Sequence, residues 1–286
     1  MHKEKHLRNV KSMTKLSVYG GTGFVGGNFS RMYSDETIVI PREQREPESD
    51  EILYLISTVD NYNVHTNITL DVETNLKVLC ETLDKCRDLD VTFNFISSWF
   101  VYGDIPLPAR EDSHCKPTGF YSITKRAAED LVMSFCRTYD KKYRILRLAN
   151  VMGAGDGKTS AKKNALAFMV DKMKKDEEIF LYDNGTPTRD MMHVKDTCRA
   201  IKLVCEKGNM NEIYNIATGQ ATQIGDIIYK AKEYLNSNSP VKSREAADFH
   251  KIVQAKDCAL DASKLNALGF KPEISIDDIV EELCIN

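Results

Sequence analysis

Residues 18–26 read Val-Tyr-Gly-Gly-Thr-Gly-Phe-Val-Gly, and they continue directly from a short β-like run, residues 15–19. A glycine-rich turn that leaves a strand and opens a helix is the reading that decides the fold. Gly20 and Gly21 suit a tight strand-to-helix turn, because a residue without Cβ tolerates positive φ. Gly23 lets the backbone approach a pyrophosphate, and Gly26 lets the new helix pack close to the strand. The unpaired N–H groups and positive dipole end of that helix would hold the phosphates. An ordinary glycine-rich turn looks the same in isolation. The strand before it, the periodic residues after it and its place near the N-terminus favour a dinucleotide site.

Outward from this turn the chain alternates strand and helix patterns, which predicts an α/β fold with a Rossmann-like, doubly wound parallel sheet. Strands are expected over residues 16–19, 37–40, 52–56, 92–97, 144–148 and 213–216. Helices are expected over 24–33, 72–87, 121–138, 165–175, 194–206, 224–235 and 276–283. One connection is odd. Residues 41–51, Pro-Arg-Glu-Gln-Arg-Glu-Pro-Glu-Ser-Asp-Glu, carry two prolines and are too short for a parallel crossover with its own helix. A crossover helix and one strand are therefore expected to be missing after the second strand.

The 286 residues suffice for one large domain or two small ones. With 42% hydrophobic and 28% charged residues the composition is globular, and a net charge of −3 makes no case for nucleic acid or an anionic membrane as partner. The first thirteen residues are polar and basic, unlike a signal peptide, and no apolar run is long enough to span a bilayer. A cytoplasmic protein is expected. Cysteines stand at 80, 86, 115, 136, 198, 205, 258 and 284, with no CxxC and no metal-type spacing to histidine. Reduced thiols and no metal centre follow.

Tyr121 and Lys125 open a strong helical pattern as Tyr-Ser-Ile-Thr-Lys. At i, i+4 they share one helix face, where the lysine's charge favours the phenolate and lowers the tyrosine pKa. By itself the pattern is common. Upstream, however, Phe95-Ile-Ser-Ser-Trp-Phe-Val-Tyr-Gly103 is a strand ending in two serines, at the edge where an open α/β sheet binds its ligands. Those serines could equally just end a strand.

Taken together, these motifs resemble the extended short-chain dehydrogenase/reductases, the NAD-dependent epimerase/dehydratase family that acts on nucleotide sugars. The resemblance runs from about residue 14 to 280. Gly20 to Gly26 looks like the family's cofactor turn, Ser98 takes the place of its catalytic Ser/Thr, and Tyr121 with Lys125 matches its acid/base pair. Leu55-Ile-Ser-Thr58 falls where a strand ends over the cofactor, and Asn75 matches an asparagine of the following helix. Arg147-Leu-Ala-Asn150 with Val-Met-Gly-Ala-Gly-Asp is similar to the motif after the sixth strand. Arg189-Asp-Met-Met-His-Val-Lys-Asp196 is similar to an arginine-containing motif, and Tyr214 to Gly219 and Asp261 to Pro272 to late family segments.

The resemblance implies NAD(P) contacts at Gly20, Gly21, Thr22, Gly23, Phe24, Val25 and Gly26, then Arg42, Ser57, Thr58, Tyr121 and Lys125. It implies nucleotide-sugar contacts at Ser98, Trp99, Asn150, Asn164 and Arg189. It also implies a cofactor domain over 13–150 and 190–217, a substrate region over 151–189 and 218–286, and a homodimer through helices 72–87 and 121–138. On the residues alone, Asn150 could be a turn residue and Arg189 a surface charge, although an arginine fork suits a diphosphate. His193 reads as a packing residue.

Two departures shape the functional expectation. Family dehydratases place Asp-Glu after the catalytic Ser/Thr; here Trp99 and Phe100 stand there, so dehydration is not expected. NAD-specific members place an acid at the end of the second strand, where this chain has Ile40-Pro41-Arg42, so the cofactor preference leans to NADP(H). An exposed arginine in a charged loop is the alternative for Arg42. The expected activity is hydride transfer at C4 of a nucleotide-activated sugar, either 4-keto reduction or 4-epimerisation, with reduction slightly favoured. The rivals are a small-carbonyl reductase and a cofactor-binding regulator without catalysis.

Overall fold

The computed structural model describes residues 15–59, 61–153, 165–253 and 256–285. Six strands form its central sheet: β1 (Leu16–Tyr19), β2 (Thr37–Ile40), β3 (Glu51–Tyr54), β4 (Thr92–Ser98), β5 (Lys142–Leu148) and β9 (Glu212–Ile216). They lie wholly parallel in the order β2-β1-β3-β4-β5-β9. Leu16 and Val18 face one side with Leu53, Ile96 and Leu146, packing on α1 (Phe24–Met32) and α6 (Val194–Lys207). Tyr19, Ile52, Tyr54, Phe93 and Phe95 face the other side and pack on α3 (Val78–Lys85) and α4 (Phe120–Thr138). With helices on both faces each strand reads as an apolar run rather than an alternation, as at Ile52-Leu53-Tyr54, all fully buried.

The expected gap is real. β2 is the sheet edge and β1 pairs with both β2 and β3, so residues 41–50 carry the chain across β1 without a helix or a further strand. Side chains of β1 hold this bare crossover. Ser17 Oγ accepts from Glu48 N at 2.9 Å and lies 2.8 Å from Ser49 Oγ, and Tyr19 OH donates to Arg45 O at 2.7 Å. Arg45 also pairs with Glu81 of α3 at 3.0 Å. Ordered polar contacts thus replace the apolar cover that a crossover helix supplies.

The helix expected over 72–87 begins earlier and is not uniform. α2 (Leu70–Val72) passes through a π-helical turn, Glu73–Lys77, into α3. The expected helices over 121–138, 194–206, 224–235 and 276–283 appear as α4, α6, α7 (Ile224–Tyr234) and α10 (Ile276–Ile285), within a residue or two.

Beyond β5 the chain also forms strands that the sequence pattern does not predict. β6 (Asn150–Met152) pairs parallel with β8 (Thr188–His193), which pairs antiparallel with β10 (Ala221–Gln223). β7 (Ile179–Tyr182) pairs parallel with β11 (Val241–Arg244). α5 (Ala165–Met173), α7 and α10 enclose a separate core of Leu166, Val170, Ile179, Ile228, Ile279 and Val280. Two short helices follow β11, α8 (Asp248–Val253) and α9 (Ser263–Ala267). His193 caps α6, accepting from Lys195 N, and its Nε2 lies 2.9 Å from Glu282. Those contacts match its reading as a packing residue.

Candidate active site

The turn after β1 has the close glycine packing expected of a phosphate-binding turn. Gly20 has φ +80°, and a Cβ there would come within 3.1 Å of Ile56 N. A Cβ on Gly26 would lie 2.3 Å from Gly20 O, so only glycine lets α1 seat this close to the turn. Gly21 is used differently from the sequence expectation. Its φ is not positive, and a Cβ there would press on Val39 at 2.8 Å, so its role is packing against β2. Gly23 precedes α1 in extended conformation, with no side chain capping the helix. A Cβ on Gly23 would meet only Gly20 O, at 3.4 Å. The space in front of the first-turn N–H groups is therefore open, as a bound pyrophosphate requires.

This turn borders a cavity of about 600 Å³ at the C-terminal edge of the sheet. Gly20, Gly23, Phe24, Val25 and Gly26 line it, together with Ser57, Thr58, Ser98, Trp99, Phe100, Tyr121, Lys125, Asn150 and Arg189. Motifs from five different strands and α4 thus converge, as expected at the switch point of a doubly wound sheet. Gly21, Thr22 and Arg42 do not line it. Arg42 is exposed, and its guanidinium makes no hydrogen bond or ion pair among the described residues. Asn164 lies outside the described residues.

Lys125 is almost fully buried one turn beyond Tyr121. Its Nζ donates to Ile96 O at 2.6 Å and sits 4.4 Å from the Phe95 ring centroid. Burial pushes the ammonium down to about 7, with Glu129 opposing the effect. A carbonyl and a ring face only partly replace the lost hydration.

Asn75, in the π-helical turn, ties the strand end to this helix. Its Oδ1 accepts from Ser57 Oγ at 3.0 Å and Thr58 N at 2.8 Å; its Nδ2 donates to Thr58 Oγ1 and Thr124 Oγ1, both at 2.9 Å. A buried amide with all four positions used is a rigid strut. It spaces the end of β3 from the residue beside Lys125.

Aromatic rings form the opposite wall. Phe100 meets Tyr121 edge-on at 5.9 Å and stacks on Trp99 at 4.1 Å. The Arg189 guanidinium carbon lies 5.3 Å from the Trp99 centroid, and its Nη1 donates to Thr188 O and Lys256 O at 2.7 and 2.5 Å. Trp99 also joins a core with Tyr102, Ala149 and Cys258, so one face is packed while the ring still borders the cavity.

A second cavity of about 760 Å³ opens beside the first. Among the described residues, five basic side chains, Lys172, Arg189, Arg244, Lys251 and Lys256, line it against one acid, Asp183. Arg244 lies 5.2 Å from the Phe180 ring and 5.0 Å from the Tyr182 ring. The two cavities share Tyr62, Asn150, Met152, Ala165, Arg189 and His250. Asn150 Oδ1 is buried with no hydrogen-bond partner among the described residues, an orphan expected where a ligand completes the bonding.

Sequence reasoning missed Tyr62 and His250. Tyr62 follows closely on Leu55-Ile-Ser-Thr58, the one available signal, whereas His250 sits in a stretch without any motif. Among the described residues no helix is long and apolar enough to cross a membrane, and no group of His, Cys, Asp or Glu could hold a metal. All eight cysteines are free.

Comparison with known proteins agrees with this architecture. The chain is 27% identical to a putative UDP-glucose 4-epimerase of Methanocaldococcus jannaschii, over 97% of this chain and 88% of that protein. It is 26% identical to the low-salt glycan biosynthesis protein Agl12 of Haloferax volcanii, over 92% and 95%. The UDP-glucose 4-epimerase of Thermotoga maritima, solved with UDP-glucose, superposes with a TM-score of 0.85 at 22% identity, over 95% of this chain and 97% of that one. The profile of the NAD dependent epimerase/dehydratase family matches residues 33–217, and the chain belongs to that family of enzymes.

Proposed function

We propose that this enzyme reduces the 4-keto group of a nucleotide-activated sugar with NAD(P)H. The observation that carries the reading is the joining of two unlike cavities. One holds the glycine cradle with Ser98, Tyr121 and Lys125; the other is rich in positive charge; they meet at Asn150 and Arg189. A nucleotide sugar fits that shape, with its diphosphate on the basic side and its reacting carbon beside Tyr121.

In this reading Tyr121 gives its proton to the C4 oxygen, Ser98 hydrogen-bonds the same oxygen, and Lys125 supports the phenolate that remains. The nicotinamide, when bound, supplies the hydride. Ser57 and Thr58 lie along the same cavity to hold the cofactor, with Gly20 and residues 23–26 on its pyrophosphate. Arg189 and Asn150 hold the substrate diphosphate. Arg42, beyond β2, supports NADP(H) by its free charge. Residues 13–150 and 190–217 then form the cofactor domain and 151–189 and 218–286 the substrate region, with Ser98, Tyr121 and Asn150 reaching the substrate from the cofactor domain. We place the enzyme in the cytoplasm, where free thiols persist.

Reduction is favoured over epimerisation by the Trp99–Phe100 stack, which lines the cavity beside Ser98 and limits the room in which a 4-keto sugar turns over. Similarity to the putative UDP-glucose 4-epimerase supports the second reading, 4-epimerisation. Incubating purified protein with 4-keto nucleotide sugars plus NAD(P)H, and separately with 4-hydroxy nucleotide sugars plus NAD(P)+, separates them. Stoichiometric cofactor consumption supports reduction, and interconversion of 4-hydroxy epimers without net consumption supports epimerisation. Turnover of neither substrate class refutes both.

The exposed apolar residues Val72, Phe120, Ile123 and Leu131 support a homodimer through the helical segment 72–87 and α4. Light scattering at the monomer mass across micromolar concentrations would overturn that assignment.

A further inference from the structure

We infer that Tyr62 and His250 form a clasp that reads the hydroxyl groups of the sugar ring. The two side chains come from segments 188 residues apart, and Tyr62 OH lies 2.7 Å from His250 Nδ1. Each borders both cavities. Under the nucleotide-sugar reading, on which this inference rests, the sugar ring crosses the junction of those cavities next to the diphosphate that Asn150 and Arg189 hold. The diphosphate belongs on the basic side and the reacting carbon at Tyr121.

The clasp is rigidly placed with respect to the chemistry. Asn61, buried beside Tyr62, accepts from Ser122 N at 3.4 Å and donates to Val253 O at 3.3 Å. It therefore links the turn of α4 that carries Tyr121 to the end of α8, which carries His250. Tyr62 also packs on Phe249 at 5.6 Å, Phe249 on His65 at 4.1 Å, and His250 on Tyr182 at 4.9 Å.

Its chemistry suits hydroxyls better than phosphate. Burial, and then the charge of Arg189, lower the His250 pKa and so favour the neutral ring. With Nδ1 engaged by Tyr62, Nε2 has no hydrogen bond among the described residues. A neutral imidazole nitrogen donates to or accepts from a sugar hydroxyl, whereas a phosphate favours the cations nearby.

The test compares nucleoside diphosphates with their sugar conjugates: UDP with UDP-glucose, dTDP with dTDP-glucose, and GDP with GDP-mannose, titrated calorimetrically into wild type, Tyr62→Phe, His250→Leu and His250→Gln. Tyr62→Phe removes one hydroxyl and leaves the packing, so it guards against simple misfolding. Expected is a loss of about tenfold in nucleotide-sugar affinity for Tyr62→Phe and His250→Leu, partial recovery in His250→Gln, and diphosphate affinity within about twofold of wild type. Equal losses for diphosphate and conjugate, or no loss, overturn the clasp. A wild type that binds neither class refutes the nucleotide-sugar reading, and the clasp falls with it.

Discussion

Replacing Lys125 by methionine removes a buried ammonium while keeping a side chain of similar length. The fold holds that ammonium at a cost, because one carbonyl bond and one aromatic face stand in for water. The fall from 10.5 to about 7 corresponds to roughly 5 kcal/mol, at about 1.36 kcal/mol per pKa unit. The sign follows from linkage. The folded pKa lies below the unfolded one, so between about pH 7 and 10.5 the unfolded chain binds more protons and stability rises with pH. From pH 7 to pH 9 the gain from this one group is roughly 2 kcal/mol, since it is still about half-protonated at pH 7. Denaturant unfolding of wild type and Lys125→Met, without cofactor, at pH 7 and pH 9 isolates the effect, because the other titrating groups are shared. Wild type should gain roughly 2 kcal/mol more than the variant over that interval. Parallel pH profiles would refute the argument that burial depresses this lysine.

Four further outcomes are expected. Gly23→Val should fold, because its extended backbone and open surroundings accept a branched side chain, yet it should lose NAD(P)H binding; calorimetry showing wild-type affinity would refute the cradle. Gly26→Ala should instead lose stability by about 1–3 kcal/mol, since its Cβ collides with Gly20 O, and an unchanged melting temperature would count against that packing argument. Tyr121→Phe should keep cofactor affinity and lose about 10²–10⁴-fold in turnover, whereas full activity would place the proton donor elsewhere. Arg42→Ala should weaken NADPH more than NADH, and equal effects would show that the arginine does not read the 2′-phosphate.

Much of the site was legible because its pieces are local. The strand–turn–helix of residues 16–32 depends on glycines a few positions apart, and Tyr121 and Lys125 share a helix face through the helical repeat itself. Chain length alone exposed the bare crossover after β2, since residues 41–50 cannot contain a helix and still reach β3. Gly21 was misjudged because its constraint is Val39, a contact between separate strands rather than a property of the turn.

The order of strands and helices, the phosphate turn and the tyrosine–lysine pair were thus determined by sequence, through short-range sterics and periodicity. The tertiary structure decided what distant segments do to one another. It set the depressed pKa of Lys125 against Ile96 and Phe95, the four bonds of Asn75, and the packing of Arg189 on Trp99. It also decided the pairing of β6, β8 and β10, strands whose partners lie tens of residues away, and the meeting of Tyr62 with His250. Solvation, hydrogen bonding and cavity shape depend on which atoms become neighbours, and no short window of sequence contains both partners.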